Sequence, residues 1–210
     1  MPSELVHLAI GALVGAAVLP RFDRRALAVV LVAAMIPDVD TFLGLWIRSG
    51  HRTLLHTLAF PGALAGTLLA DDRLREVGRL RARVGDRGVR LAWAGLASLT
   101  FGGIAPDLFT NGVNALYPFV DTFYAVNGRF VLSDQRGVVQ TFVEVNQGGG
   151  SESVSTTENT HYRTGVDPSP GESEGSPERV FPVVRRGWQV LVILASSVAV
   201  AARLSLERRR

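Results

Sequence analysis

Six ionisable residues lie inside, or at the ends of, strongly apolar stretches of this chain. They are His7, Asp38, Asp40, His51, His56 and Asp107. An ionisable side chain at the centre of a membrane helix costs on the order of 2.5–3.5 kcal/mol on insertion scales, so such a residue suggests a function. Imidazoles and carboxylates without thiolates suit a divalent ion such as zinc, manganese, iron or magnesium. The chain has no cysteine, which excludes thiolate ligands and disulfides.

The spacing of these residues sets conditions on the backbone. Asp38 and Asp40 are two residues apart, so on a regular helix they would point about 200° away from each other. Both can face one ion only if the helix breaks, and Pro37 supplies a reason for a break. His51 and His56 are five residues apart, about 140° around a helix. One ion could take both only if His51 lies on the turn before the helix.

Arg52 lies between the two histidines and is four residues before His56, so the two share a helix face. Its guanidinium could hold either a carboxylate of the site or an anionic group of a substrate. One of Asp38, Asp40 and Asp107 could serve as a general base rather than as a ligand. The predicted catalytic set is Asp38, Asp40 and Arg52.

Five apolar stretches are available to position these residues. They cover residues 5–19, 26–47, 53–70, 89–106 and 188–204. A bilayer core needs about 20 residues of helix, which the middle three provide and the first and last nearly reach. The first lacks the basic region and cleavage site of a signal peptide, so it is predicted to be retained. We predict an all-α membrane protein with four to five transmembrane helices.

Arginines indicate the orientation of these helices, since all 22 basic residues are arginine and most lie in short connections. Clusters follow the first, third and fifth stretches, which predicts that these connections are cytoplasmic. The chain is then a multi-pass cell-membrane protein with its N-terminus outside and its C-terminus in the cytoplasm. Arg185 and Arg186 argue mildly against this, but they end a long loop, which the rule weighs little. All six ionisable residues then converge on the outer face.

The long polar segment before the last stretch divides by composition. We expect a membrane-embedded domain over 1–120, an ordered external segment over 121–145, a disordered acidic linker over 146–182, and the last helix with a basic C-terminus over 183–210. Within the external segment, residues 129–132 and 138–145 predict a small β-hairpin. The linker is rich in Gly, Ser, Thr, Glu and Pro and has almost no aliphatic residues, so it cannot bury enough apolar surface to fold.

The order of these motifs resembles a known family. An N-terminal His7 precedes Pro-Asp-x-Asp and His-Arg-x-x-x-His, and Asp107 then precedes Gly-Val and Tyr-Pro-Phe. This order resembles the YdjM-like membrane-bound metal-dependent hydrolases over about residues 3–120. The resemblance implies that all six ionisable residues form the metal-binding or catalytic set. One departure is Gly103, where the family pattern has a histidine, which implies a site reduced to one metal or a loss of activity.

The leading hypothesis is a membrane-bound metal-dependent hydrolase that acts near the outer leaflet. Its cofactor would be a divalent ion, with zinc preferred and manganese or magnesium as alternatives. Its partners would be membrane lipids and an amphipathic or lipid substrate, a phosphoester being one candidate. The net charge of +3 does not suggest a nucleic-acid partner, and the oligomeric state stays open. The alternatives are a non-catalytic membrane scaffold with a structural metal and, ranked lower, an ion transporter.

Overall fold

The structure of this chain is a computed structural model. It describes residues 3–46, 50–74, 76–110, 112–126, 128, 130–140, 155–160, 162, 164–166 and 179–209. The α-helices are α1 Glu4–Val18, α2 Arg24–Met35, α3 Asp40–Leu43, α4 Ala59–Arg73, α5 Arg79–Ser98, α6 Ala105–Leu108 and α7 Gly187–Arg208. A 3-10 turn covers Pro37–Val39, and a wider π-helical turn covers Leu99–Ile104.

Two helical segments in the described part of the chain are long and apolar enough to cross a membrane. They are Arg79–Leu108, which joins α5 to α6, and Gly187–Arg208, which is α7. A third appears if α2 and Pro37–Leu43 form one span, because this pair is bent by 44°. Helix α1 is apolar but shorter. The predicted helical class is confirmed, whereas the predicted count of four to five spans remains a prediction.

Helix α1 packs against both α2 and α7. Gly11 and Gly15 allow the close approach to α2, since an added Cβ would lie 2.6 Å from the Ala34 side chain and 2.7 Å from that of Val30 respectively. On the other face, the Ser196 hydroxyl donates to the carbonyl of Ala9 at 2.7 Å. The small-residue pair on α1 is therefore a packing surface, as small residues are in other membrane helix pairs.

The arginine-rich segments meet at one end of this bundle. Arg203 near the end of α7 donates to the carbonyl of Leu19 at 2.6 Å, so α7 runs parallel to α1. The backbone N–H of Phe22 donates to Glu207 at 3.1 Å. Asp23, which caps α2, pairs with Arg87 of α5. The segments that carry the predicted cytoplasmic arginines thus lie together, away from the N-terminal end of α1.

Replacing Gly102 by alanine is expected to destabilise the bundle. An added Cβ would lie 2.7 Å from both the Cα and the N of Gly11, which are backbone atoms that cannot rotate away. Overpacking of this kind costs roughly 1–3 kcal/mol. Gly62→Ala is the matched control, because nothing lies within 4 Å of an added Cβ at that position of α4. Equal melting temperatures of the two variants in detergent would contradict the packing.

Breaks in the helices bring polar residues to the opposite end of the bundle. The chain bends at Pro37, as the sequence predicted, and Asp38 lies in the 3-10 turn while Asp40 begins α3. The π-helical turn precedes Asp107 in α6. Residues 50–58 form turns before α4, so His51 precedes the helix as the spacing required. Arg52 and His56 precede it too, so the helix face predicted for this pair is wrong.

The β-hairpin predicted between residues 129 and 145 is present in the described part of the chain. Strand β1 Phe130–Ser133 pairs antiparallel with β2 Gly137–Gln140, from Phe130 opposite Gln140 to Ser133 opposite Gly137. This confirms the predicted hairpin, although residue 129 and residues 141–145 lie outside the described residues.

Part of the predicted linker contacts the rest of the chain in the residues that the structure describes, which are 155–160, 162, 164–166 and 179–182. The backbone N–H of Phe123 donates to the carbonyl of Ser155 at 2.9 Å, and its ring centroid lies 5.4 Å from that of Tyr162. Arg179 donates to the carbonyls of Gly165 and Val166 at 3.0 Å and 2.8 Å. These contacts supply the order that the poor apolar content did not predict. The rest of the linker lies outside the described residues.

Asp121 anchors this segment, so Asp121→Ala is expected to release it. Its carboxylate accepts from the hydroxyl of Thr157 at 2.5 Å and from the Asn114 amide at 2.6 Å. Burial raises the pKa of Asp121, but these bonds and the backbone N–H of Thr157 lower it more, so the net shift is downward. The contact is therefore present at neutral pH and is lost as pH falls through the lowered pKa. Faster hydrogen exchange over residues 155–160 in Asp121→Ala, with no change in Asp134→Ala of the exposed hairpin turn, would confirm the anchor.

Candidate metal site

Asp40 holds two imidazoles at the start of α3. Its carboxylate is fully buried and lies 2.8 Å from Nδ1 of His51 and 2.9 Å from Nδ1 of His56. It also accepts the backbone N–H of Arg52 at 3.1 Å, while the hydroxyl oxygen of Thr41 lies 2.9 Å from Nδ1 of His51. A carboxylate that fixes histidine rings in this way is typical of the residues that surround metal ligands.

Asp107 is the second carboxylate of the cluster and is also fully buried. Its Oδ2 lies 3.0 Å from Nε2 of His56 and 3.8 Å from Nε2 of His7. Nδ1 of His7 lies 2.9 Å from the carbonyl of Gly102 in the π-helical turn. A carbonyl only accepts, so Nδ1 of His7 carries the proton and donates. In the neutral ring, Nε2 of His7 therefore presents a lone pair towards Asp107.

A buried group of three side chains offers the geometry of a metal site. One potential ligand atom from each of His7, Asp38 and Asp107 lies within 4.8 Å of the other two. Oδ2 of Asp38 is buried without a hydrogen-bond partner among the described residues, and Oδ1 lies 3.7 Å from Nε2 of His56. A buried carboxylate oxygen without a partner is unfavourable unless a positive charge compensates it. The donor set and this oxygen fit a divalent cation.

Arg52 is committed to this cluster rather than to solvent. Its side chain is fully buried, donates to Oδ1 of Asp107 and donates to the carbonyl of Gly112 at 3.0 Å. Its guanidinium carbon lies 4.7 Å from the ring centroid of Tyr162. Its φ of 66° is uncommon for a residue with a side chain and is strained. Of the two partners that the sequence allowed for Arg52, the structure shows the carboxylate, and burial removes the guanidinium from reach of a substrate.

The six residues chosen from the sequence all lie in this one cluster, in two layers. His7, Asp38 and Asp107 form the group that could hold an ion, with Nε2 of His56 beside them. Asp40 and His51 form the second layer, behind His56. Asp40 is hydrogen-bonded to the ring of His56, and His51 is hydrogen-bonded to Asp40. The predicted ligand roles of Asp40 and His51 remain predictions.

The cluster opens into a small cavity of about 120 Å³. The residues that line it include His7, Asp38, Val166, Phe181 and Arg185. The cluster is thus accessible from the end of the bundle that carries the external segment.

Tyr162 is a site residue that the sequence analysis missed. It is the one aromatic residue in the sequence between residues 146 and 180, and it contacts both Phe123 and Arg52. A lone aromatic in a polar stretch was the available signal. Averaging the composition over the whole stretch obscured it.

Gly103 stands where the family pattern led us to expect a histidine. An added Cβ would lie 2.7 Å from the carbonyl oxygen of Ala34 and 2.7 Å from Cγ of Pro37. The backbone of the π-helical turn therefore packs directly on the bend after α2. A side chain at this position would require a backbone shift, so the site is built without a ligand from residue 103.

A family model described as YdjM inner membrane protein matches residues 1–169 of the chain. The chain belongs to this family. The matched part includes all six residues of the cluster and Tyr162, whereas α7 and Arg185 follow it. Family membership and the apolar helices together place the chain in a membrane. No curated protein and no solved structure matches the chain.

Proposed function

We propose that this protein is a membrane-bound metal-dependent hydrolase whose ion is held by His7, Asp38 and Asp107. The observation that carries the proposal is the convergence of these three side chains from α1, the 3-10 turn and α6 on one buried point. Residues so far apart in the chain meet only because the fold brings them together. The cavity beside them supports a catalytic role, since a catalytic site keeps a position open for a substrate.

The surrounding residues suit this role. Asp40 orients the ring of His56 from behind, and Nε2 of His56 donates to Oδ2 of Asp107, so His56 positions this carboxylate. Imidazole and carboxylate donors suit zinc first and manganese or magnesium as alternatives. Arg52 donates to Oδ1 of Asp107, so Oδ2 is the oxygen of Asp107 that faces the other residues of the group.

The proposed reaction is hydrolysis in which one oxygen of Asp38 would hold the ion and the other would accept a proton from the attacking water. A bound divalent ion would supply the Lewis acidity that polarises a scissile bond and makes water a stronger nucleophile at neutral pH. Asp38 has a carboxylate oxygen with no protein partner, whereas both oxygens of Asp40 and of Asp107 are hydrogen-bonded. Asp38 is therefore preferred over Asp40 as general base.

The proposed membrane arrangement has four to five spans with the cluster near the outer leaflet. The arginine-rich end of the bundle would face the cytoplasm, with the C-terminus on that side and the N-terminus outside. The grouping of Arg87 and Arg203 with residues 19–23, at the end away from His7, supports this orientation. A site at the outer membrane surface favours a lipid or other amphipathic substrate.

A non-catalytic scaffold with a structural metal is the second candidate function. The glycine at position 103, in place of a histidine, favours it. An ion transporter ranks lower, because the residues between α2, α4 and α5 line a cavity of about 580 Å³ that is almost wholly apolar. A pathway for ions through this part of the bundle would need polar residues.

The test begins with the metal content of the protein purified in detergent, measured by elemental mass spectrometry. About one equivalent of zinc or manganese in the wild type, lost in Asp38→Asn and kept in Asp72→Asn, would support the site. Asp72 is a matched control because its carboxylate pairs with Arg81 at the surface. Hydrolysis of a phosphoester panel by the loaded wild type and not by Asp38→Asn would support the enzyme. Bound metal that raises the melting temperature without any hydrolysis would favour the scaffold, and no bound metal would refute both.

A further inference from the structure

The cavity beside the cluster has one cationic side chain in its described wall, that of Arg185. Glu4 and Asp38 contribute carboxylates to the same wall. A cavity lined by two carboxylates disfavours an anionic ligand unless a cation offsets them. Arg185 is therefore the residue that decides which charge the cavity accepts.

The guanidinium of Arg185 is available for a ligand. Among the residues that the structure describes, it makes no ion pair and no side-chain hydrogen bond, in contrast to the buried Arg52. Its backbone is held in place, because its N–H donates to Oε1 of Gln189 at 2.7 Å and Gln189 is 1% exposed. Helix α7 in turn packs on α1 through Ser196. The position of Arg185 is thus tied to the helix that carries His7.

Ser3 is a second donor in the same wall. It is 1% exposed, and its hydroxyl is buried with no hydrogen-bond partner in the part of the chain that the structure describes. It precedes α1 but does not cap the helix with its side chain. A buried hydroxyl without a partner is unfavourable, and a ligand that accepts its hydrogen bond would remove this cost.

We propose that this cavity binds the anionic group of a phosphate ester, with the guanidinium of Arg185 and the hydroxyl of Ser3 as donors. The inference rests on the proposed function, because it makes the cavity the substrate site beside His7 and Asp38. At about 120 Å³ the cavity is smaller than the roughly 300–1,000 Å³ of sites that enclose drug-sized ligands. It can therefore enclose a head group but not an acyl chain. Guanidinium groups suit phosphate because their donors match two of its oxygens.

The experiment measures binding of inorganic phosphate, dihexanoyl phosphatidic acid and dihexanoyl phosphatidylcholine by calorimetry in a neutral detergent. Wild type, Arg185→Gln, Arg186→Gln and Ser3→Ala are compared, each in metal-free and in zinc-loaded form. Arg186 is a matched control because it is the adjacent exposed arginine and does not line the cavity. Arg185→Gln is expected to weaken binding of the phosphate monoester about 10-fold or more, and Ser3→Ala about 3-fold or more. Arg186→Gln is expected to bind as the wild type does.

The comparison of ligands distinguishes a lipid head group from a soluble phosphate ester. The comparison of metal-free and zinc-loaded protein distinguishes the anion site from the proposed hydrolase. Tighter binding of phosphatidic acid than of inorganic phosphate identifies a lipid head group, whereas equal binding identifies a soluble phosphate ester, and either supports the inference. Equal affinities of Arg185→Gln and wild type, or equal losses in Arg185→Gln and Arg186→Gln, overturn it, as does preferential binding of phosphatidylcholine. Phosphate binding measured in the metal-free form tests the anion site independently of the metal site. An Arg185-dependent phosphate site in a protein that takes up no zinc would therefore refute the hydrolase and keep the anion site.

Discussion

Replacing Asp107 by asparagine is expected to lower zinc affinity by more than about 100-fold. Changes to residues that only orient a ligand already cost roughly 10–100-fold in metal affinity, and the loss of a charged ligand exceeds that. Oδ2 of Asp107 lies within 4 Å of Nε2 of both His7 and His56, so it faces the two imidazoles of the group. Competition between the protein and a chelating dye for zinc measures the affinity directly.

The size-exclusion profile of Asp107→Asn must match that of the wild type for this result to count, since the amide also changes the partner of Arg52. Asp72→Asn serves again as the surface carboxylate control and should keep full affinity. A zinc affinity of Asp107→Asn within about two-fold of the wild type would remove Asp107 from the ligand set. The ion would then have to lie nearer to Asp40, as the wider sequence prediction allowed.

Most of the site could be predicted because the bilayer constrains the sequence strongly. Ionisable residues are rare in apolar stretches, so His7 and Asp107 were identifiable by type alone, and the arginine pattern placed them at one end. Pro37 predicted the bend that separates Asp38 from Asp40. These predictions needed only local chemistry and the rules of membrane insertion.

The two layers of the site could not be predicted in the same way. Whether Asp40 binds an ion or orients His56 depends on hydrogen bonds between residues far apart in the chain, and residue spacing gives no access to them. The π-helical turn before Asp107 also has no periodic signal, since it arises where Gly102 and Gly103 pack against Gly11 and Pro37. Tertiary packing decides both features.

The partner of Arg52 also depends on tertiary packing and could not be predicted from the sequence. Its sequence position was compatible with a carboxylate partner or a substrate, and both would use the same guanidinium geometry. Only burial separates the two, because a fully buried arginine cannot meet a substrate that enters from solvent. The burial of Arg52 is the reason why the proposed anion site uses Arg185, which lies outside the residues matched by the family model.

Arg52→Met is expected to destabilise the folded protein by about 3–5 kcal/mol, the typical result of removing one partner of a buried ion pair. The variant leaves Asp107 buried with its Oδ1 unpaired and also removes the donor to Gly112. The free energy of unfolding in mixed micelles measures the loss. Arg81→Met is the matched control, since its side chain is 44% exposed and its pair with Asp72 is worth at most about 1 kcal/mol.

A double-mutant cycle then separates the pair from simple loss of packing. Arg52→Met combined with Asp107→Leu removes both charges, so it should be less destabilised than the sum of the two single variants, by about 0.5–3 kcal/mol. Additive losses would show that Arg52 stabilises the protein through its contacts with Tyr162 and Gly112 rather than through Asp107. In that case Arg52 would hold the external segment against the bundle, and the ion would depend on Asp107 without its help.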